Sequence, residues 1–214
     1  MRRKYQVLMV APVAMLLPAG VAVASAGHFE ANLRPVPHRA VADGGSNVTG
    51  KASLRLEGRN LRVDLTARGL TPSQPHAMHI HGVLQAHNEC PTIAADVNTG
   101  DPIDPATFVQ GTPDGLISLG EGAPFYGPVD VSLTKTGDTS PSSGLSLERF
   151  VVADDSGRIE YHRSITIPKD VAKDLSNLHI VVHGTDLPSD ADHSSLSSLF
   201  EATLPVACGE ISQD

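Results

Sequence analysis

Positive charge is in short supply in this sequence. Lys and Arg together number 16 against 24 Asp and Glu, for a net charge of −8. Three of those cations, Arg2, Arg3 and Lys4, stand before an apolar run from Val7 to Val23 that ends in Ala24-Ser25-Ala26. A basic start, an apolar middle and a small-x-small end read as a secretory signal peptide, with cleavage expected after Ala26. The run is too short, and too broken by Pro12 and Pro18, for a membrane anchor. No cysteine lies near the cleavage site, which argues against a lipoprotein. Losing the leader takes Lys and Arg to 13 against 24 acids, a mature net charge of −11. That excess argues against nucleic acid and, after cleavage, against a membrane surface as partner, and it suits an exported protein whose ligand is an ion or small molecule. Oligomeric state is not legible.

Further absences narrow the chemistry. The chain has no P-loop, no dinucleotide fingerprint and no zinc CxxC pair. Ser194-Ser195 beside His193 lack a nucleophile elbow. His28, second in the expected mature chain, offers no amino-terminal copper motif. His38, His87 and His162 read as solvated or turn histidines. Only two cysteines are present, Cys90 and Cys208. An even pair in an exported chain reads as a disulfide, the alternative being two free thiols. The bridge would close a loop of more than 100 residues, worth about 4–5 kcal/mol in the chain-entropy model.

Helical periodicity is also nearly missing. The expected domain, residues 27–214, is long enough for one core. Phe29–Leu33 reads as a first strand. Ala52, Leu54 and Leu56, then Leu61, Val63, Leu65 and Ala67, alternate with polar residues around Gly58-Arg59-Asn60, which is a hairpin with one buried face. Val129–Thr134, Phe150–Ala153, Ile159–Ile167, Leu178–Gly184 and Phe200–Val206 read as further strands. Asp154-Asp155-Ser156-Gly157 carries hairpin chemistry, and 168–175 a short helix or turn. Residues 87–130 read as a long irregular loop of the kind that carries function. About eight short strands with turn signals predict an all-β barrel or sandwich.

The histidines cluster within this frame. His76-Ala77-Met78-His79-Ile80-His81-Gly82 holds three of the ten. In a strand, His79 and His81 share one face while Met78 and Ile80 share the other. Two imidazoles one residue apart give a metal two nitrogen donors, suited to copper, zinc, iron or nickel. His179, Val181 and His183 share a face of a second strand, making His183 a candidate third ligand.

These segments resemble the Cu/Zn superoxide dismutases. Leu70-Thr71-Pro72 followed by His76–Gly82 is similar to the family's signature around its first two copper ligands. Cys90 follows His81 at the family's spacing of nine residues. Val181-Val182-His183, Ala153–Gly157 and Ala207-Cys208-Gly209-Glu210-Ile211 resemble later family segments, in family order. The resemblance implies a Greek-key β-barrel and copper held by His79, His81 and His183. It also implies a Cys90–Cys208 disulfide pinning the long loop. The sequence departs from the family where a bridging histidine belongs, which is Asp96, and where an arginine guides superoxide, which is Pro205. Zinc is therefore not expected. Asp96 is a candidate oxygen donor to copper, and Arg163 a candidate replacement for the arginine. Glu121–Pro124 and Gly137–Ser140 resemble secreted bacterial proteins described as superoxide-dismutase-like or CHRD-domain proteins.

A competing expectation is a non-enzymatic extracellular binding or structural β-domain, stabilised by calcium. Asp114, Ser118 and Glu121 have the spacing of the second half of a calcium loop, and Asp96-Val97-Asn98-Thr99-Gly100 resembles a separated first half. Asp186, Asp190 and Asp192 form a second acidic cluster.

Overall fold

The computed structural model describes residues 26–38, 47–82, 89–97, 115–186 and 199–214. Ten strands run through them: β1 (Gly27–Pro35), β2 (Thr49–Glu57), β3 (Asn60–Arg68), β4 (Pro75–His76), β5 (Met78–His81), β6 (Val129–Ser132), β7 (Val151–Val152), β8 (Arg158–Thr166), β9 (His179–His183) and β10 (Pro205–Gln213). Three short helices accompany them: α1 (Leu119–Tyr126), α2 (Lys169–Asp174) and α3 (Leu199–Thr203). Eight strands form one antiparallel sheet in the order β6-β5-β9-β10-β1-β2-β3-β8, and β4 pairs with β7 alone. The sheet curls into a half-barrel, the all-β architecture expected from the alternating pattern.

The β2–β3 hairpin shows why the chain folds this way. Its register sets Leu54 opposite Val63 and Ala52 opposite Leu65, all four buried. Lys51, Ser53, Arg62 and Thr66 take the outer face. Side-chain period and buried face therefore agree along the ladder. Cutting one such residue back, as in Leu65→Ala, costs about 2–5 kcal/mol by the general experience of core truncations.

β9 and β10 lie mid-sheet; β9 is buried throughout, and β10 is buried from Pro205 to Gly209 and at Ile211. Ile180 and Val182 of β9, with Met78 and Ile80 of β5, face the main core. The opposite face of these strands meets a second, smaller core of Val36, Ala95, Ile117, Tyr126, Val181 and Cys208. The functional candidates lie on that second face.

Three expectations are corrected. Residues 154–157 form a turn, Gly157 N–H donating to Asp154 O at 2.9 Å, but β7 and β8 do not pair. β7 pairs with β4, and β8 with β3. Phe200–Val206 is not a strand: it begins inside α3, and β10 starts at Pro205. The long loop contains α1. The leader up to residue 25, and His87, Asn98, Asp114, Asp190, Asp192 and His193, lie outside the described residues.

Candidate metal centre

β5 and β9 pair antiparallel, with His79 opposite Val181 and His81 opposite His179. His183 N–H donates to Ala77 O at 2.9 Å, which sets His183 at the other end of the same face. His79 is therefore the middle ring. His81 and His183 flank it from positions about 13 Å apart along the ladder, at roughly 3.3 Å per residue. Their rings lean inward. The Nε2 atoms of His81 and His183 come within 3.4 Å of each other. One nitrogen from each of the three rings lies within 4.8 Å of the others. A register shift between Ile80 and His81, on the side where β5 pairs with β6, helps to re-aim His81.

The proton on each ring follows from its other nitrogen. A carbonyl oxygen only accepts, so the ring nitrogen facing it must carry the hydrogen. His79 Nε2 lies 3.0 Å from Gly144 O, His81 Nδ1 2.9 Å from Gly127 O, and His183 Nδ1 2.8 Å from Thr203 O. Bare lone pairs are left on His79 Nδ1, His81 Nε2 and His183 Nε2. The middle ring thus offers its near nitrogen and the flanking rings their far ones, as their places along the ladder require. His79 Nδ1 is buried and has no hydrogen-bond partner.

The three carbonyls share an origin. Gly144 closes the 3-10 turn Pro141–Ser143, Gly127 caps α1, and Thr203 ends α3. The last carbonyls of a helix have no partner within it. Each histidine N–H satisfies one of them, and the partial negative charge of the carbonyl makes the opposite nitrogen a better donor. At Gly127 the backbone has φ 81° and ψ −177°. Side-chain-bearing residues almost never adopt that conformation.

All three rings are buried, with exposures of 4, 1 and 2 % for His79, His81 and His183. Burial disfavours the charged ring. It drives His79 well below the usual histidine range, helped by the charges of His183 and His81. Burial, then His183, takes His81 down to about 3. Burial takes His183 down to about 4. The set is thus three neutral imidazoles. A metal about 2.0–2.1 Å from each of two imidazole nitrogens holds them no more than about 4.2 Å apart. The 3.4 Å between His81 and His183 fits that limit, while the full set spans up to 4.8 Å, so His79 would have to close in by a few tenths of an ångström on a bound ion.

Aromatic rings wall the cluster. Phe150 meets His79 edge-on at 5.5 Å, and Tyr126 meets His81 at 4.8 Å. Tyr126 is fully buried, its hydroxyl has no partner, and burial pushes its ionisation upward. His76 lies outside the cluster. Its Nδ1 and Nε2 lie 3.0 and 2.9 Å from His183 O and Thr71 O; burial favours the neutral ring, which donates to one of these carbonyls at a time and so links either the ligand strand or the turn before β4. After His81, a Cβ on Gly82 would collide with Leu178, which is why glycine lets the chain leave the sheet there.

Other expected residues have different work. Asp96 is buried, but its Oδ2 accepts from Gly115 N–H at 3.1 Å and it does not join the three histidines. Ser118 and Glu121 form a capping box at the start of α1 rather than an open calcium loop. Ser118 N–H donates to Glu121 Oε2 at 3.0 Å, and Val97 N–H donates to Glu121 Oε1 at 2.9 Å. Ser-x-x-Glu before an apolar segment is itself the sequence signature of such a cap. Arg163 donates to Thr134 O and Gly137 O, both at 2.6 Å, and so pins the segment after β6. Pro205 O accepts from His38 Nε2 at 2.7 Å, while His38 Nδ1 accepts from Ile117 N–H at 3.0 Å. His38 is therefore a buried bridge, not a solvated turn histidine. Asp186 donates its backbone N–H to Thr71 Oγ1 at 3.2 Å. His162 is exposed and lies 2.8 Å from Asp64.

Cys90 and Cys208 form the disulfide, with Cα atoms 5.6 Å apart. Such a bond points to an oxidising, non-cytoplasmic compartment, and no helix among the described residues is long and apolar enough to cross a membrane. No protein-family model matches the chain and no curated protein matches it, so the reading of the three histidines rests on their own geometry.

Proposed function

We propose that this chain is a secreted copper-binding protein built like a Cu/Zn superoxide dismutase, with weak superoxide turnover or none. One observation carries the reading: three buried imidazoles converge with bare lone pairs, each proton held away by a backbone carbonyl. An orphaned acceptor such as His79 Nδ1 costs about 1–3 kcal/mol if nothing answers it. A cation at the centre would answer all three. Neutral imidazoles without a carboxylate or thiolate in the set suit copper, and the sequence resemblance favours it over other metals. Copper would supply one-electron chemistry between two oxidation states. The protein's part is to hold three rings in fixed tautomers, bury them, and keep His76 behind His183.

Efficient turnover of an anionic substrate is less well supported. Pro205 stands where the resemblance calls for an arginine, and Arg163 is engaged with Thr134 and Gly137. The expected mature charge of −11 would repel superoxide. The test is titration with copper of the wild type against His81→Ala. The wild type is expected to bind one copper that the variant loses. Equal binding by both would sink the assignment. Superoxide removal no faster than by the same amount of free copper would keep the binder and discard the enzyme.

A further inference from the structure

The outer face of β2, β3 and β8 carries four arginines in a chain short of cations, and the ladder sets them in two directly opposed pairs. Arg55 lies opposite Arg62, and Arg68 opposite Arg158. Like charges facing each other across a ladder are destabilising unless something compensates. In the first pair something does. Arg55 donates to Glu57 at 2.6 Å and Arg62 to Asp64 at 2.9 Å, each acid two residues along the same strand. Arg158 has Glu160 in the same relation. Arg68 has no such acid, since Thr66 and Leu70 stand two residues to either side of it. Its guanidinium donates to Thr49 Oγ1 at 3.3 Å, and among the described residues no carboxylate lies within ion-pair reach of it.

Arg68 lines an open groove of about 400 Å³ together with Thr49, Lys51, Thr66 and Arg158. The lining holds three cations and no acid. Lys51 stands opposite Thr66, on the diagonal from Arg68 and within reach of a long side chain. Acids do flank the groove. Glu30 pairs with Lys51 at 2.7 Å and Glu160 pairs with Arg158, while Asp214 and Asp154 act on the same two cations at longer range. Both pairs are exposed, and exposed ion pairs hold weakly, so either cation can turn to a stronger anion. Three cations and two hydroxyls are thus gathered from three strands. That is more than a two-oxygen carboxylate needs, since one guanidinium grips it alone. It suits a tetrahedral group with three free oxygens and two charges.

We propose that this groove binds a phosphate monoester, free in solution or carried on a polymer, with Arg68 as its main hold and Arg158, Lys51 and the two threonine hydroxyls around it. A dianion between Arg68 and Arg158 removes the repulsion that the ladder otherwise leaves there. The chain as a whole is acidic, so the attraction acts at short range and weakens with added salt. The site is independent of the copper reading, because neither the three histidines nor their strands border the groove.

The test follows the arginine Nε–Hε resonances of the nitrogen-15-labelled full chain at low ionic strength while inorganic phosphate, dextran phosphate or acetate is added. Arg68→Gln and Arg158→Gln assign the signals. Arg68 and Arg158 are expected to shift together and saturably with phosphate, while Arg55 and Arg62 stay in place. Acetate should bind at least tenfold more weakly. Arg68→Gln should weaken phosphate binding at least tenfold. Arg62→Gln, which removes the same charge from the same face, should weaken it less than twofold. Both substitutions fall at exposed strand positions and remove no core contact. Saturation by dextran phosphate at a tenth or less of the phosphate-group concentration makes a polymer the ligand, and saturation at equal concentrations makes it the free monoester. No saturable shift, equal losses in the two variants, or equal shifts in both arginine pairs would show only diffuse surface charge and overturn the site. Acetate binding as tightly as phosphate overturns the ligand class.

Discussion

His81 Nε2 and His183 Nε2 face each other across 3.4 Å with no proton between them, because each ring has given its proton to a carbonyl on its far side. Two lone pairs in such a buried place repel. The fold tolerates this because β5 and β9 are fixed by core packing on their other face, through Met78, Ile80, Ile180 and Val182.

Relieving that conflict should stabilise the whole protein. A ligand that binds only the folded state adds about 2.7 kcal/mol at a free concentration a hundred times its Kd. Copper is therefore expected to raise the melting temperature of the wild type and to leave that of His81→Ala unmoved. A wild type indifferent to copper in calorimetry would count against the site.

Acid should destabilise the metal-free protein. The three rings are held neutral in the fold, with His183 at about 4 and His81 at about 3, against 6.5 for a free histidine. The unfolded chain therefore takes up protons first as pH falls. The stability from neutral rings is fully present above 6.5 and is lost between 6.5 and about 3. Each such ring withdraws roughly 2 kcal/mol by pH 5. Urea unfolding at pH 7.5 and pH 5 measures this, and replacing all three histidines by glutamine should flatten the dependence. A slope that survives the triple replacement would assign the acid lability elsewhere.

Gly127→Ala should weaken the site without touching a ligand. A Cβ at φ 81° and ψ −177° costs about 1–3 kcal/mol of backbone strain. Relaxation would tilt the carbonyl that fixes His81, and loss of such a supporting contact typically lowers metal affinity 10- to 100-fold. Competition with a copper chelator reads the affinity, and Gly127→Asn should lose about as much, because asparagine's tolerance of positive φ is confined to the left-handed helical region and does not extend to this ψ. Equal affinities in all three proteins would show that His81 needs no such support.

Asp130 has the opposite sign. Burial first, and then Asp170, raise its carboxyl to about 6. The folded state therefore holds the proton more tightly than the unfolded chain. Its contribution is present below about 3.8 and is lost as pH rises to 6. Asp130→Asn is expected to stabilise at pH 7 by on the order of 1 kcal/mol, reduced by the side chain's partial exposure, and to do nothing at pH 3.5. Denaturant midpoints at the two pH values decide it.

The strand pattern was legible because burial and period coincide. Ala52 to Leu56 and Leu61 to Ala67 could form only one hairpin with one wet face. The same logic placed His79 and His81 opposite Met78 and Ile80. The helix α1 was not legible, since Gly120, Gly122 and Pro124 disfavour it and its capping box passed for half a calcium loop. Gly122 is needed there because Tyr126 packs over it where a Cβ would sit. α3 was missed because Phe200 to Leu204 is apolar enough for a strand. It turns instead, with Thr185 N–H on Glu201 O and Gly184 N–H on Leu204 O. The buried bridge at His38 and the engagement of Arg163 depend on partners 79 and 29 residues away, which no local pattern encodes.

The three carbonyls behind the ligand rings bear on when a metal can enter. They belong to Gly127, Gly144 and Thr203, each in a separate excursion from the sheet, and Thr203 comes almost at the end of the chain. The segment that fixes His183 follows His79 and His81 by more than 100 residues in the chain. Until α3 docks, the third ring is free to turn its proton inward. On the copper reading, three inward lone pairs exist only once α3 has docked, so metal would select finished molecules rather than nucleate their folding.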